Sequence, residues 1–221
     1  MIVLGNGGVI WAEQWVPSGV AAVTVASTPF WMIGVEAMLP GGERLTMRSV
    51  AGLLVGFAGI VLLVWPDLTR GGEYDRQYLA GIASLQIACL GWALGSSYSR
   101  RHSRSDNAMM AAAGQMLAGG LMMLIVAIAR GEIRDLTFTP RSLAAEAYLA
   151  VLGSLAGYTA YIYALKYLPV SVVSLYAYAN PVIAVLLGTA LLTEPFGPRV
   201  IVATGMVLLG ITVVRSGEGK N

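Results

Sequence analysis

The 221-residue chain repeats itself. Trp15-Val16-Pro17-Ser18 is echoed 152 positions later by Tyr167-Leu168-Pro169-Val170, and the echo runs on through the two membrane-length segments that follow. Thr28-Pro29 aligns with Asn180-Pro181; after a one-residue slip in the connecting loop, Gly52 and Gly59 align with Ala203 and Gly210. Five hydrophobic segments separate equivalent points of the two copies. An odd number forces the second copy to cross a bilayer in the opposite sense to the first. That pattern is an inverted repeat, an architecture of secondary transporters.

Composition places the chain in a membrane. Hydrophobic residues make up 57% and charged residues 12%, against roughly a quarter charged in an average soluble domain. The mean hydropathy is +0.70. A single cysteine, Cys89, lies in an apolar run and excludes a disulfide framework and a cysteine-based metal site. The formal charge of +2 is scattered, which leaves a nucleic-acid partner no electrostatic footprint.

Crossing the hydrocarbon core takes about 20 apolar residues. The apolar runs predict seven complete spans, over 18–39, 47–65, 78–99, 108–129, 143–165, 170–192 and 198–214. Residues 1–15 are also apolar and Gly-rich, but at 1.5 Å per residue they reach only about 22 Å and read as the second half of a helix. A secretory signal is the competing reading; it lacks a basic n-region. The expected fold is therefore an all-α polytopic membrane protein. A partial third helix and the fourth and fifth helices of a first repeat occupy 1–65, a periplasmic loop 66–77, a five-helix second repeat 78–216 and a cytoplasmic tail 217–221. The repeat predicts a ten-helix parent longer by about 75 residues at the start, of which this chain is the later part.

Loop charges orient the spans, because Lys and Arg are retained on the cytoplasmic side. Alternate loops form two sets. One carries eight basic residues, Arg44, Arg48, Arg100, Arg101, Arg104, Lys166, Arg215 and Lys220, against the three acids Glu43, Asp106 and Glu218. The other carries six basic against eight acidic residues. The first set is expected in the cytoplasm together with the C-terminus. His102, the sole histidine, falls in its basic loop, where a solvated orientation signal outweighs a proton relay.

Polar groups inside spans are costly and usually face a bundle interior or cavity. Pro29 and Pro181 fall within spans, each preceded by a polar side chain, Thr28 and Asn180. A proline frees a carbonyl that lipid cannot satisfy, so the pair reads either as hinges beside a polar site or as kinks that improve packing. Glu36 is the one charge well inside a predicted span. It is either an Arg-paired, snorkelling carboxylate or a group that couples transport to a cation.

Trp11, Trp92, Tyr158, Tyr161 and Tyr176, with Gln86 and Ser96, complete a candidate cavity lining suited to aromatic or weakly polar molecules; ordinary helix packing is the alternative. Tyr176 and Asn180, four apart, share a helix face, while Tyr178 points elsewhere. Trp15, Trp65, Tyr78 and Tyr167 stand at span ends as interfacial residues. Gly52, Gly56 and Gly59, like Ala203 and Gly210, make smooth surfaces for close helix contact. A homodimer through the last helix of each repeat is compatible with the same surfaces. No phosphate loop, HExxH, catalytic triad or metal cluster is present in the sequence, so an enzyme and a cofactor are not expected.

These residues carry a family resemblance. Gly5-Asn6-Gly7-Gly8, Trp11-Ala12-Glu13-Gln14, Val16-Pro17-Ser18-Gly19, Pro29, Gly42-Glu43-Arg44-Leu45 and Gly52 with Gly59 come from the first copy. The second supplies Ala164 to Pro169, Tyr176-Ala177-Tyr178-Ala179-Asn180-Pro181-Val182 and Glu194-Pro195. Together they resemble the EamA-type drug/metabolite transporter (DMT) superfamily, and within it the YedA-like exporter branch. The resemblance implies a bacterial inner-membrane exporter of small metabolites, amino-acid-like or drug-like compounds, working by alternating access. Its partners would be the lipid bilayer and the small-molecule substrate. A truncated membrane protein without transport activity is the alternative, favoured by the absent first two helices.

Overall fold

A computed structural model describes residues 1–42, 46–63, 65, 76–102, 107–132, 138–180, 182–183 and 197–218. The described residues are helical and turn, with no strand among them. In chain order the helices are α1 (Ile2–Ala12), α2 (Ser18–Val25), α3 (Thr28–Met38), α4 (Met47–Leu63), α5 (Arg76–His102), α6 (Ala108–Arg130), α7 (Pro140–Tyr167), α8 (Val170–Ser174) and α9 (Pro198–Glu218).

Among the described residues, four stretches are long and apolar enough to cross a membrane: Val20–Met38, Arg76–His102, Met109–Arg130 and Pro140–Tyr167. Three of these extend past the predicted ends 99, 129 and 165, because polar residues such as Arg100, Arg101 and Lys166 continue a helix into the interface. α4 and the apolar part of α9, Pro198–Val214, are shorter. The run predicted over 170–192 is described only to residue 183, and most of the loop 66–77 lies outside the described residues. Residues 217–218, expected in a tail, continue α9.

Ends of the long helices follow local chemistry. Asn107 caps α6 by accepting from the amides of Met109 and Met110 at 3.0 and 3.4 Å. The same helix stops at Gly131, whose φ of +76° is open to glycine at little cost. Pro140 opens α7 behind a capping box made by Thr139 and Ser142.

Pro17 and Pro169, 152 positions apart, precede α2 and α8 with nearly identical backbone angles, ψ 141° and 146°. The π-helical segments also correspond at this offset. α1 is π-helical over Ile2–Asn6, and the π stretch of α7, Leu149–Tyr158, ends 152 positions after Asn6.

The predicted span over 18–39 is divided. α2 ends at Val25, Ala26 and Ser27 turn, and α3 begins at Thr28. Pro29 is thus the second residue of a new helix rather than a mid-helix kink, and the break sits just before it. The reason is the carbonyl ledger. Proline has no N–H for the Val25 carbonyl four residues back. The Thr28 hydroxyl donates to that carbonyl instead, at 2.6 Å. The Ser27 hydroxyl donates to the Thr24 carbonyl at 2.6 Å. The Thr28 hydroxyl thereby stands in for water that lipid does not supply, while Ser27 reinforces a carbonyl that its own amide already reaches at 3.1 Å.

α4 and α9 meet backbone to backbone. A Cβ on Gly52 would lie 2.7 Å from the Gly210 carbonyl oxygen, and one on Gly210 would lie 2.6 Å from that of Gly52. Gly59 faces the Ala203 carbonyl in the same way, at 2.9 Å. The smooth surfaces seen in the sequence therefore face each other within one chain. Tyr178, fully buried, lays its ring against Gly56 and donates its hydroxyl to the Leu53 carbonyl at 3.0 Å. Ile33, Ile60 and Val207 complete this core.

Two outcomes test this packing. Gly52→Val should cost about 1–3 kcal/mol through overpacking, read as a lowered unfolding midpoint in detergent, whereas Gly114→Ala, which meets nothing within 4 Å, should not lower it. Thr28→Val should cost about 1–3 kcal/mol by stranding the Val25 carbonyl, and Thr28→Ser should restore most of that loss. Equal stability of Thr28→Val and wild type would show that the hydroxyl does not hold the break.

Candidate functional site

The break between α2 and α3 abuts a cavity of about 190 Å³. α1 lines it with Gly5, Asn6 and Val9, the break with Val25 and Thr28, α5 with Ala88, Cys89 and Trp92, and the stretch after α8 with Tyr176. α1 comes close because Gly5 has no side chain: a Cβ there would lie 2.7 Å from Cε3 of Trp92. Further along the seam, Ser84 donates its hydroxyl to the Gly8 carbonyl at 2.9 Å.

Trp92 is held from behind by α7. Its Nε1 donates to the Tyr161 hydroxyl at 2.8 Å, and that hydroxyl lies 2.7 Å from Ser96 Oγ. Ser96 in turn donates to the Trp92 carbonyl at 2.7 Å. The rings form a contiguous cluster. Trp92 lies 5.4 Å from Tyr161, 6.2 Å from Tyr158 and 6.4 Å from Tyr176 between centroids. Tyr161 meets Tyr176 edge-on at 5.2 Å, a geometry the ring quadrupole favours. Tyr158 donates to Gln115 Oε1 at 2.7 Å, and Gln115 Nε2 donates to Ser99 Oγ at 3.2 Å, which joins α7, α6 and α5.

Of the residues singled out in the sequence, Thr28, Trp92 and Tyr176 line the cavity, and Ser96, Tyr158 and Tyr161 position the indole. Gln86 buttresses the helix break: it accepts from Trp31 Nε1 at 2.8 Å, and its Nε2 reaches Ser27 Oγ at 3.4 Å. Trp11 is elsewhere, in a groove of about 440 Å³ between α1 and α6 that also includes Gln14, Met123 and Arg130. Asn180 is exposed and Tyr176 turns inward, so the shared face that their spacing suggests is not a shared surface of this cavity. Pro181 lies outside the described residues. Asn6 and Gln115 were not anticipated. A signal for Asn6 existed, since it sits 152 positions before Tyr158.

Glu36 has a separate setting at the far end of α3. Its side chain is 1% exposed, yet Arg101 Nη2 donates to Oε2 at 3.0 Å, and Arg100 Nη1 lies 3.9 Å from the same atom. Arg101 also donates through Nη1 to the Pro40 carbonyl at 2.8 Å. One guanidinium therefore ties two points of the α3 end to the end of α5. The Arg-paired alternative left open by the sequence is the arrangement found. His102 is exposed, stacked on Tyr98 at 4.2 Å. Among the described residues no group of three or more His, Cys, Asp or Glu could hold a metal ion.

The EamA-like transporter family matches residues 79–216. The inner membrane transporter YedA of Escherichia coli (strain K12) is 34% identical over 221 residues, 99% of this chain and 69% of that protein. A transporter of Archaeoglobus fulgidus is 26% identical over 202 residues, 91% of this chain and 69% of that one. A protein crystal structure superposes with a TM-score of 0.78 at 25% identity, covering 98% of this chain and 77% of that one. A family match over more than half of the chain and a relative at this level of identity carry the same conclusion: the chain belongs to the EamA-like transporter family.

Proposed function

We propose that the chain works as a secondary transporter that exports small metabolites, amino-acid-like or drug-like compounds by alternating access. Membership of the family makes it a membrane transporter of the drug/metabolite type rather than an enzyme. The observation that carries the reading is the cavity at the helix break. Broken helices whose polar backbone faces a cavity mark substrate sites in transporters built from inverted repeats. Here the Thr28 break, the Trp92 indole and Tyr176 converge on one space.

The two copies, over 1–65 and 78–216, would move against each other, with Pro29 and its Pro181 counterpart as hinges. The basic ends of α5 and α7 face the cytoplasm of a bacterial cell, as do the end of α3 and the C-terminus. Glu36 then belongs to the cytoplasmic closure. Two guanidinium groups already face it, which suits a staple between helix ends better than the uptake of a coupling cation.

Trp92→Ala in proteoliposomes should lower transport at least about tenfold, the scale of removing an aromatic anchor of one to a few kcal/mol, while the protein stays monodisperse. Transport by wild type of no metabolite or dye would defeat the assignment. Cys89, the one cysteine, lines the cavity and reports on the closure. Arg101→Gln should raise its alkylation by an impermeant maleimide from the cytoplasmic face about tenfold, the effect of losing one charge-assisted hydrogen bond. An unchanged rate sinks the staple. Loss of gradient dependence in Glu36→Gln would return that carboxylate to coupling.

A further inference from the structure

Among the described residues, no charged side chain lines the cavity beside the helix break. Among its described lining residues the polar side chains are Asn6, Thr28, Cys89, Trp92 and Tyr176, all uncharged at neutral pH. Glu36 stands eight residues along α3 from Thr28, about 12 Å away along the helix, and Arg101 already holds it. A charged ligand here would leave water without a countercharge, a heavy penalty in a low-dielectric site.

The hydrogen-bonding capacity that remains is specific. The Thr28 proton is committed to the Val25 carbonyl, and Trp92 Nε1 to the Tyr161 hydroxyl. Asn6 is exposed at the edge of the cavity, on the π-helical turn of α1, a kind of turn frequent at functional sites. Its carboxamide presents a donor and an acceptor side by side. Trp92 and Tyr176 offer adjacent ring surfaces 6.4 Å apart between centroids. About 190 Å³ suits one six-membered ring with a small substituent.

We infer that this cavity selects an uncharged aromatic carboxamide or lactam, its ring against Trp92 and Tyr176 and its amide edge paired with Asn6. The inference rests on the cavity being the transport site and names the chemistry that site accepts. Asn6 acts as the specificity-determining residue. Its carboxamide matches an amide edge with two complementary hydrogen bonds, and it supplies no charge to a carboxylate or an amidinium.

Benzamide, benzoate and benzamidine share a ring and differ in charge, and protection of Cys89 from N-ethylmaleimide reads occupancy without needing transport. Wild-type protein should be protected by benzamide at concentrations about tenfold below those of either charged isostere, the scale of one or two net hydrogen bonds. Asn6→Leu should weaken protection by benzamide about tenfold, the scale of the lost hydrogen bonds, and Asn6→Asp should bring benzamidine forward. Equal protection by all three in wild type, or better protection by a charged one, overturns the inference, and needs no variant to fold. If another compound is still transported and Trp92→Ala blocks it, only the charge selectivity fails. No protection by any of the three, together with no transport, removes the site itself.

Discussion

A carbonyl released inside a bilayer must find a donor within the protein, and that requirement organises this molecule. Pro29 releases the Val25 carbonyl, and the Thr28 hydroxyl answers at 2.6 Å. Because that donor is local, the released carbonyl is satisfied within the same turn of chain. The interruption then leaves room beside α5, and the cavity forms there. Gln86 braces the turn from outside, so the gap does not collapse into a plain kink.

The aromatic cluster depends on this placement. An indole as large as that of Trp92 fits between α1 and α7 because Gly5 yields on one side and Tyr161 receives the N–H on the other. A buried indole N–H without a partner costs about 1–3 kcal/mol, so Tyr161 and Ser96 determine which way the ring faces. The cavity wall is thus a consequence of hydrogen bonding on its far side.

Much of this was legible in the residues. Apolar runs located the long helices, and the echo between copies pointed to Thr28 and to close contact by Gly52 and Gly210. What stayed hidden depends on helix phase and on partners distant in sequence. Tyr161 and Tyr163 look alike in the chain, but one faces Trp92 and the other is 57% exposed. Tyr178 is as buried as any residue but belongs to the α4 and α9 core. The partner of Glu36 lies 65 residues away on α5, which no local pattern reveals. Asn6 stood in the Gly5-Asn6-Gly7-Gly8 motif with no role attached, and its place at the cavity depends on Gly5 letting α1 close on Trp92.

At its closest approach the seam between α4 and α9 is main chain against main chain. Where Gly52 and Gly210 face each other there is no side chain to repack, and the methyls that crowd the same line belong to Val207 and Val214, β-branched and stiff at χ1. Such a joint cannot loosen by degrees: it either holds its register or parts completely. The two helices, one from each copy, therefore form a joint about which any movement of the copies would have to pivot. Any swing of one half of the protein against the other must be absorbed by the turn at Ala26 and Ser27 and by the sliding faces of the Trp92 cluster, the places where the substrate would be held.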